Sequence, residues 1–205
     1  MKKDKIRNAP RVVVDFQFVD QTMERDRASL MKQIEVCHCM NQKYEKPLKL
    51  TTSQSEHPLM KQYVEQRNLN KWGIDLEKRD ILDAYPKEQI IYLSGDVDID
   101  MDVYEPEKIY IIGGLVEHNR LTNLTKNYAE KNGITARRLP LSRYLDLKAC
   151  SLLNINHVFQ ILLMLHNGAS MQKAIVSSVP QRKIGQVYFD TSSDESDNEK
   201  EKKEQ

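Results

Sequence analysis

Several absences narrow the class of protein that this sequence can encode. The 205 residues contain three cysteines, too few for a disulfide framework in a chain of this length. The longest apolar run, residues 161–165, is far shorter than the roughly 20 residues that a membrane span needs. Residues 1–11 are polar and no apolar stretch of the length of a signal peptide follows them, so no secretory signal is predicted. We therefore predict no membrane association and a reducing compartment, the cytoplasm and/or the nucleus.

The sequence also lacks the common nucleotide and hydrolase motifs. No G-x-x-x-x-G-K-S/T stretch is present, and no G-x-G-x-x-G opens a helix, which argues against a P-loop and against a Rossmann dinucleotide site. The G-x-S-x-G turn of a serine hydrolase is missing too.

Two clusters could suggest a metal, but their spacing argues against one. Cys37 and Cys39 flank a single histidine, which is tighter than the usual spacing of zinc-binding cysteines. Four aspartates alternate in the segment 96–102, named the acidic loop below, but Met101 stands where a calcium loop needs glycine. We predict a solvated acidic loop and no metal site.

Charge and composition divide the chain into three parts. The net charge is +1, but residues 190–205 carry seven acids and three bases, which leaves +5 on residues 1–189. We predict a short basic segment (1–10), one folded domain (11–189) and a disordered acidic tail (190–205). A basic body of this kind suits a nucleic-acid partner.

Hydrophobic patterning predicts an α/β domain with a mainly parallel sheet flanked by helices. Short apolar runs indicate strands over 48–52, 89–93, 108–112 and 134–138. In the segment 11–19, a run of three valines indicates a first strand that ends at Asp15. Helical spacing indicates helices over 21–44, 58–68, 122–132, 152–166 and 172–178. Alternation of the two element types is typical of a parallel sheet.

Three of the predicted strands end in unusual loops. Ser94-Gly95 and Gly113-Gly114 allow close approach of backbone to a ligand, and 139–141 (Leu-Pro-Leu) forms a stiff apolar corner. Ligands of open parallel sheets bind beyond the carboxyl ends of the strands. Backbone donors beside apolar walls suit an adenine and a ribose better than a triphosphate.

Several motifs in one order resemble a known family. They are IYIIGGLVEHNR (109–120), TARRLPLSRYL (135–145), LLNINHVFQILL (152–163) and VPQRK (179–183), preceded by VVVDFQFVD (12–20) and IIYLSGD (90–96). The series resembles the eukaryotic and archaeal tRNA methyltransferases of the SPOUT class that modify the purine at position nine. The resemblance covers roughly residues 10–185.

The resemblance implies a SPOUT fold with a C-terminal trefoil knot, an exception to the rule that folds are unknotted. It also implies S-adenosylmethionine as cofactor, tRNA as partner and a monomer. The loops that would bind the cofactor contain Leu93, Ser94, Gly113, Gly114, His118, Asn119, Arg120, Leu139, Leu153 and Asn154.

The resemblance implies two acidic residues for catalysis. Glu117 follows G-G-L-V, where the family usually has Asp, and would be the general base for the N1 proton of guanine. Its extra methylene displaces the carboxylate by about 1.5 Å unless the backbone compensates. Asp15 ends the first strand, and either a role near the target base or a hydrogen-bond hub suits it. His157 is interpreted as a core histidine.

The resemblance also implies phosphate contacts from arginines and a lysine: Arg120, Arg137, Arg138, Arg143, Arg182 and Lys183. The family's long basic extension is reduced to a few basic residues before residue 8, which predicts weaker tRNA binding. The function implied is formation of N1-methylguanosine at position nine of tRNA. Methylation of adenine at the same position, or a non-catalytic RNA-binding or assembly subunit that keeps the cofactor pocket, are the alternatives.

Overall fold

The computed structural model of the protein describes residue 6 and residues 8–116, 123–147 and 153–188. The predicted acidic tail from residue 190 lies outside the described residues. Residues 117–122 and 148–152, which belong to the predicted knotted, cofactor-binding region, also lie outside them. The trefoil knot therefore stays a prediction.

A six-stranded sheet, parallel in every pairing, forms the centre of the molecule, as the sequence predicts. The strand order is β3-β2-β1-β5-β4-β6. The strands are β1 (Arg11–Asp15), β2 (Lys49–Thr52), β3 (Asp75–Leu76), β4 (Ile90–Leu93), β5 (Ile109–Gly113) and β6 (Thr135–Arg137).

Helices cover both faces of the sheet. They are α1 (Glu24–Asn41), α2 (Pro58–Gln66), α3 (Ile81–Ala84), α4 (Leu124–Asn132), α5 (Leu141–Tyr144), α6 (Ile155–His166) and α7 (Met171–Ser178). The helix α4 ends at Gly133, whose φ of 65° is the left-handed conformation that glycine adopts at helix ends.

The central strand β1 explains why the core has two halves. Successive side chains of a strand point to opposite faces. Val12 and Val14 pack in the cluster that contains residues of α1 and α6, whereas Val13 packs with Ile111 and with Ala129 of α4. All three valines are fully buried. A β-branched run without polar residues is what a strand covered on both faces requires.

The structure differs from the sequence prediction in the C-terminal third. Two short strands, β7 (Leu145–Leu147) and β8 (Ile184–Val187), form an antiparallel pair outside the main sheet, with a bulge between Asp146 and Leu147. The short helix α5 immediately precedes β7. The pair was missed because its strands are only three and four residues long and lie far apart in sequence, so neither has a usable period.

None of the described helices is both long and apolar enough to cross a membrane.

Candidate functional site

A pocket of about 580 Å³ lies beside the carboxyl ends of β4 and β5 and the chain that follows β6. This is the position at which open parallel sheets bind ligands. Five residues that the sequence assigned to cofactor binding line it: Leu93, Ser94, Gly113, Leu139 and Leu153. The structure thus brings together three separate loops that the sequence had singled out.

One side of the pocket is polar and held by a short chain of hydrogen bonds. The Thr125 hydroxyl donates to Ser94 Oγ over 2.7 Å, and the Asp96 amide donates to the same oxygen over 3.2 Å. Asp96 in turn accepts the Asn123 amide at 2.8 Å, just before α4. A Cβ on Gly113 would lie 2.9 Å from the Thr125 methyl group, so glycine lets α4 pack close to β5.

A second part of the pocket lining is apolar. It is built from the chain after β6, from β7 and from the start of α6, and its members are Leu139, Leu141, Leu145, Leu147, Leu153, Ile155 and Val158. The Ile155 amide at the start of α6 is held by Gln33 Oε1 of α1 at 2.9 Å. Such a wall suits the flat face of an adenine.

Sequence reasoning missed the residues that line the pocket from the β7–β8 pair. Asp146 lines it, and although its backbone belongs to the β7–β8 pair, its carboxylate has no hydrogen-bond or ion-pair partner among the described residues. Tyr188 also lines it and is 43% exposed. A Cβ on Gly185 would lie 2.9 Å from Asp146 Oδ2, so glycine at 185 leaves room for this carboxylate. No motif marks these residues, because an unpredicted strand pair places them.

Gly114 and Asn154 do not line the pocket as Gly113 does. A Cβ on Gly114 would lie 2.5 Å from the backbone oxygen of Asp15, which accepts the Gly114 amide at 2.8 Å. The close approach predicted for this glycine is thus to the end of β1. Asn154 is exposed and is the N-cap of α6, where its carbonyl accepts the amides of His157 and Val158.

Asp15 is a fully buried hydrogen-bond hub. Its carboxylate accepts the Ser53 hydroxyl at 2.6 Å, the Tyr92 hydroxyl at 2.9 Å and the Gln17 amide at 3.2 Å. Burial raises the pKa of Asp15 from 3.8 to about 6, against the lowering effect of its hydrogen bonds from Ser53 and Tyr92. Asp15 does not line the pocket, and its role near the target base stays a prediction.

Glu117, His118, Asn119 and Arg120 lie outside the described residues. Glu117 follows Val116 in the chain, shortly after Gly113 of the pocket. Its assignment as general base stays a prediction.

The residues predicted to contact tRNA phosphates occupy different settings. Arg137 donates to the carbonyl of Ala136 at 2.8 Å. Arg138 and Arg143 form ion pairs with the acidic loop, which is therefore less solvated than the sequence suggested. Arg182 and Lys183 lie in a 3₁₀ turn after Pro180.

His157 is half-buried on α6. Its buried Nδ1 has no hydrogen-bond partner in the described structure. Burial lowers the pKa of His157, and the nearby charges of Lys183 and Arg182 lower it further. The ring is therefore neutral at pH 7, as expected for a histidine packed within the protein.

Comparison with known proteins assigns the family. The family model described as tRNA (guanine(9)-N(1))-methyltransferase TRM10/TRM10A matches residues 1–184, and the chain belongs to this family. The tRNA (guanine(9)-N1)-methyltransferase of Schizosaccharomyces pombe is 30% identical over 178 residues, which are 84% of this chain and 59% of that protein. The chain thus spans less than two thirds of the length of this curated relative.

Solved structures agree with the family assignment. The crystal structure of spTrm10(74) has a TM-score of 0.76 and 30% identity, covering 83% of this chain and 94% of that one. The crystal structure of full-length spTrm10 in complex with SAH has a TM-score of 0.74 at the same identity and coverage. The predicted class, a mainly parallel sheet flanked by helices as in these proteins, is confirmed.

Proposed function

We propose that this protein is an S-adenosylmethionine-dependent tRNA methyltransferase that forms N1-methylguanosine at position nine. The observation that carries the proposal is the pocket beside the ends of β4 and β5, which gathers residues from all three predicted cofactor loops. The activity named for the S. pombe relative and the SAH complex of spTrm10 support it.

The pocket fits S-adenosylmethionine in shape and in charge. The apolar wall that contains Leu139 and Leu153 would hold the adenine, and the polar side around Ser94 offers hydrogen bonds for a ribose. The cofactor carries positive charge on its sulfur and its amino group. Asp146 and Asp96 supply two negative charges on the lining, and the one positive charge among its described residues, Arg138, is paired with Asp100, so the electrostatics favour a ligand of net positive charge.

When bound, S-adenosylmethionine supplies an electrophilic methyl group, and the transfer needs no metal. Guanine N1 carries a proton and becomes a good nucleophile only when that proton leaves. Glu117 is the proposed acceptor of the proton. The target base would leave its stack to reach the site, as in other enzymes that modify bases.

The deciding experiment incubates the purified protein with labelled S-adenosylmethionine and an unmodified tRNA transcript. We expect methyl incorporation that disappears when guanine at position nine is replaced by uracil, and nucleoside mass spectrometry should identify 1-methylguanosine. Product from a transcript with adenine at position nine would establish the adenine activity. Binding of cofactor and tRNA without any product would instead favour the non-catalytic subunit.

We also propose that the protein acts as a monomer in the cytoplasm and/or the nucleus. Support for the monomer comes from the small number of large apolar side chains that the described surface exposes, which are Met23, Val36, Ile99, Val103 and Tyr188. Light scattering should give the mass of one chain, 23.9 kDa.

A further inference from the structure

The acidic loop is attached to the outer edge of the sheet. After β4 the chain runs past the end of β6 and then lies parallel to it, forming a bridge between Asp100 and Arg138. The Met101 amide donates to the Arg138 carbonyl at 2.8 Å, and the Arg138 amide donates to the Ile99 carbonyl at 2.9 Å. The loop is therefore fixed to Arg138, which lines the pocket and directly precedes Leu139 of the apolar wall.

One carboxylate joins the two ends of the segment 138–143, which contributes Leu139 and Leu141 to this wall. Asp100 Oδ1 accepts Arg138 Nε at 2.6 Å, and Asp100 Oδ2 accepts an Arg143 guanidinium nitrogen at 2.9 Å. The pocket-lining residues Leu139, Leu141 and Ser142 lie between the two arginines. The Asp100 side chain is 19% exposed, and the hydrogen bond from Arg138 lowers its pKa. It is ionised at neutral pH, and charge-assisted bonds of this kind are the strong ones.

The guanidinium groups of Arg138 and Arg143 are thus already bonded to carboxylates. The second terminal nitrogen of Arg143 donates to Asp102 at 2.7 Å, so both of its terminal nitrogens have carboxylate partners. Arg143 does not line the pocket. Arg138, by contrast, lines the pocket itself. An effect of Arg143 on cofactor affinity would therefore pass through its neighbours in the chain that line the pocket, such as Ser142 and Leu145.

We propose that Asp100 is a positioning residue, which shapes the cofactor pocket by holding Arg138 and Arg143 at the two ends of residues 138–143. The inference rests on the proposed function, because it takes this pocket as the S-adenosylmethionine site. A wall held in its binding shape loses less conformational freedom when ligand enters, and so binds more tightly. In this arrangement Arg143 serves the pocket and not a tRNA phosphate.

The test compares Asp100→Asn with Asp98→Asn. Both substitutions remove one negative charge from the same loop, but Asp98 is 93% exposed and lies 3.9 Å from Arg138. We expect Asp100→Asn to raise the Kd of S-adenosylhomocysteine about tenfold in titration calorimetry. In turnover, the KM for S-adenosylmethionine should rise while kcat at saturating cofactor stays within twofold. Asp98→Asn should match the wild type in each measurement.

A third variant, Arg143→Gln, separates the proposal from phosphate contact and replaces Asp100→Asn if that protein does not fold. Positioning predicts weaker S-adenosylhomocysteine binding with an unchanged tRNA Kd. Phosphate contact predicts weaker tRNA binding and unchanged cofactor binding. The dependence of the logarithm of tRNA affinity on the logarithm of salt concentration should then correspond to about one phosphate contact fewer. This result would overturn the proposal.

Failure of the inference can be told from failure of the proposed function. If wild-type protein binds S-adenosylhomocysteine and methylates tRNA, but Asp100→Asn binds the ligand equally well, Asp100 has no positioning role and the function stands. If the wild-type protein binds no S-adenosylhomocysteine, the proposed function fails and the inference falls with it.

Discussion

The buried carboxylate of Asp15 should make the stability of the protein depend on pH. Its pKa is raised from 3.8 to about 6 by burial, so between these values the folded protein keeps a proton that the unfolded chain releases. The free energy of unfolding therefore falls by on the order of 3 kcal/mol as the pH rises from about 4 to 6. Above pH 6, Asp15 causes no further change.

Asp15→Asn removes this titration. Urea denaturation of both proteins between pH 4 and 7 should show the wild type losing stability relative to the variant as the pH rises. The carboxylate accepts hydrogen bonds from Ser53 and Tyr92 at its two oxygens, and the Asn side chain has only one oxygen to accept them. The test therefore compares how the two stabilities change with pH, and not their values at a single pH. Parallel stability curves would show that Asp15 has an ordinary pKa in the folded state.

The general base is predicted at Glu117. Glu117→Gln keeps the size of the side chain and removes its basicity, so single-turnover methylation of guanine should fall about 10²–10⁴-fold at neutral pH. Binding of S-adenosylhomocysteine should change little. Glu117→Asp, which restores the residue usual in the family, should keep or raise the activity. A wild-type rate for Glu117→Gln across pH 6–9 would remove Glu117 from the mechanism.

At the scale of elements, the two glycines after β5 should respond differently to alanine. The Cβ of Gly114→Ala would meet the rigid backbone oxygen of Asp15, whereas that of Gly113→Ala would meet the methyl group of Thr125. We expect Gly114→Ala to lower the free energy of unfolding by about 1–3 kcal/mol, and Gly113→Ala by less. Thermal denaturation measures both, and equal losses would contradict the close contact at Gly114.

The same scale shows which elements the sequence could predict. Strand β1 was predictable because three successive valines have no other suitable environment, and the end of α4 because Gly133 follows a helical pattern. The β7–β8 pair was not, because its pairing depends on tertiary contacts between residues about 40 positions apart. Asp146 lines the pocket from this pair, so this carboxylate was missed for the same reason.

At the scale of the whole molecule, the C-terminal tail and the rest of the chain carry net charges of opposite sign. Residues 190–205 carry −4, against +5 on the rest. We predict that deletion of residues 191–205 leaves the melting temperature unchanged. It should tighten tRNA binding at low salt, because the repulsion between the acidic tail and the tRNA phosphates is removed. The difference in affinity should disappear as the salt concentration rises. A melting temperature lowered by several degrees would mean that the tail packs on the domain.

The site as a whole was partly predictable. Motif order placed Leu93, Gly113 and Leu139 at one pocket, since the ends of parallel strands meet at one edge of a sheet. It could not show that Arg138 and Arg143 already pair with aspartates, because those contacts join residues about 40 positions apart across the end of β6. A sequence shows which residues are positively charged, but it does not show which acidic residues they pair with.

The six strands of the sheet also shorten toward both sides. The central β1 and β5 have five residues each, their neighbours four, and the outermost β3 and β6 two and three. An exposed strand edge is a template for pairing with another chain, and short edge strands are one way in which proteins avoid it. At one side, the Asp100–Arg138 bridge also occupies the backbone just beyond β6. The taper therefore opposes aggregation, because neither border leaves enough unpaired backbone to recruit a foreign strand.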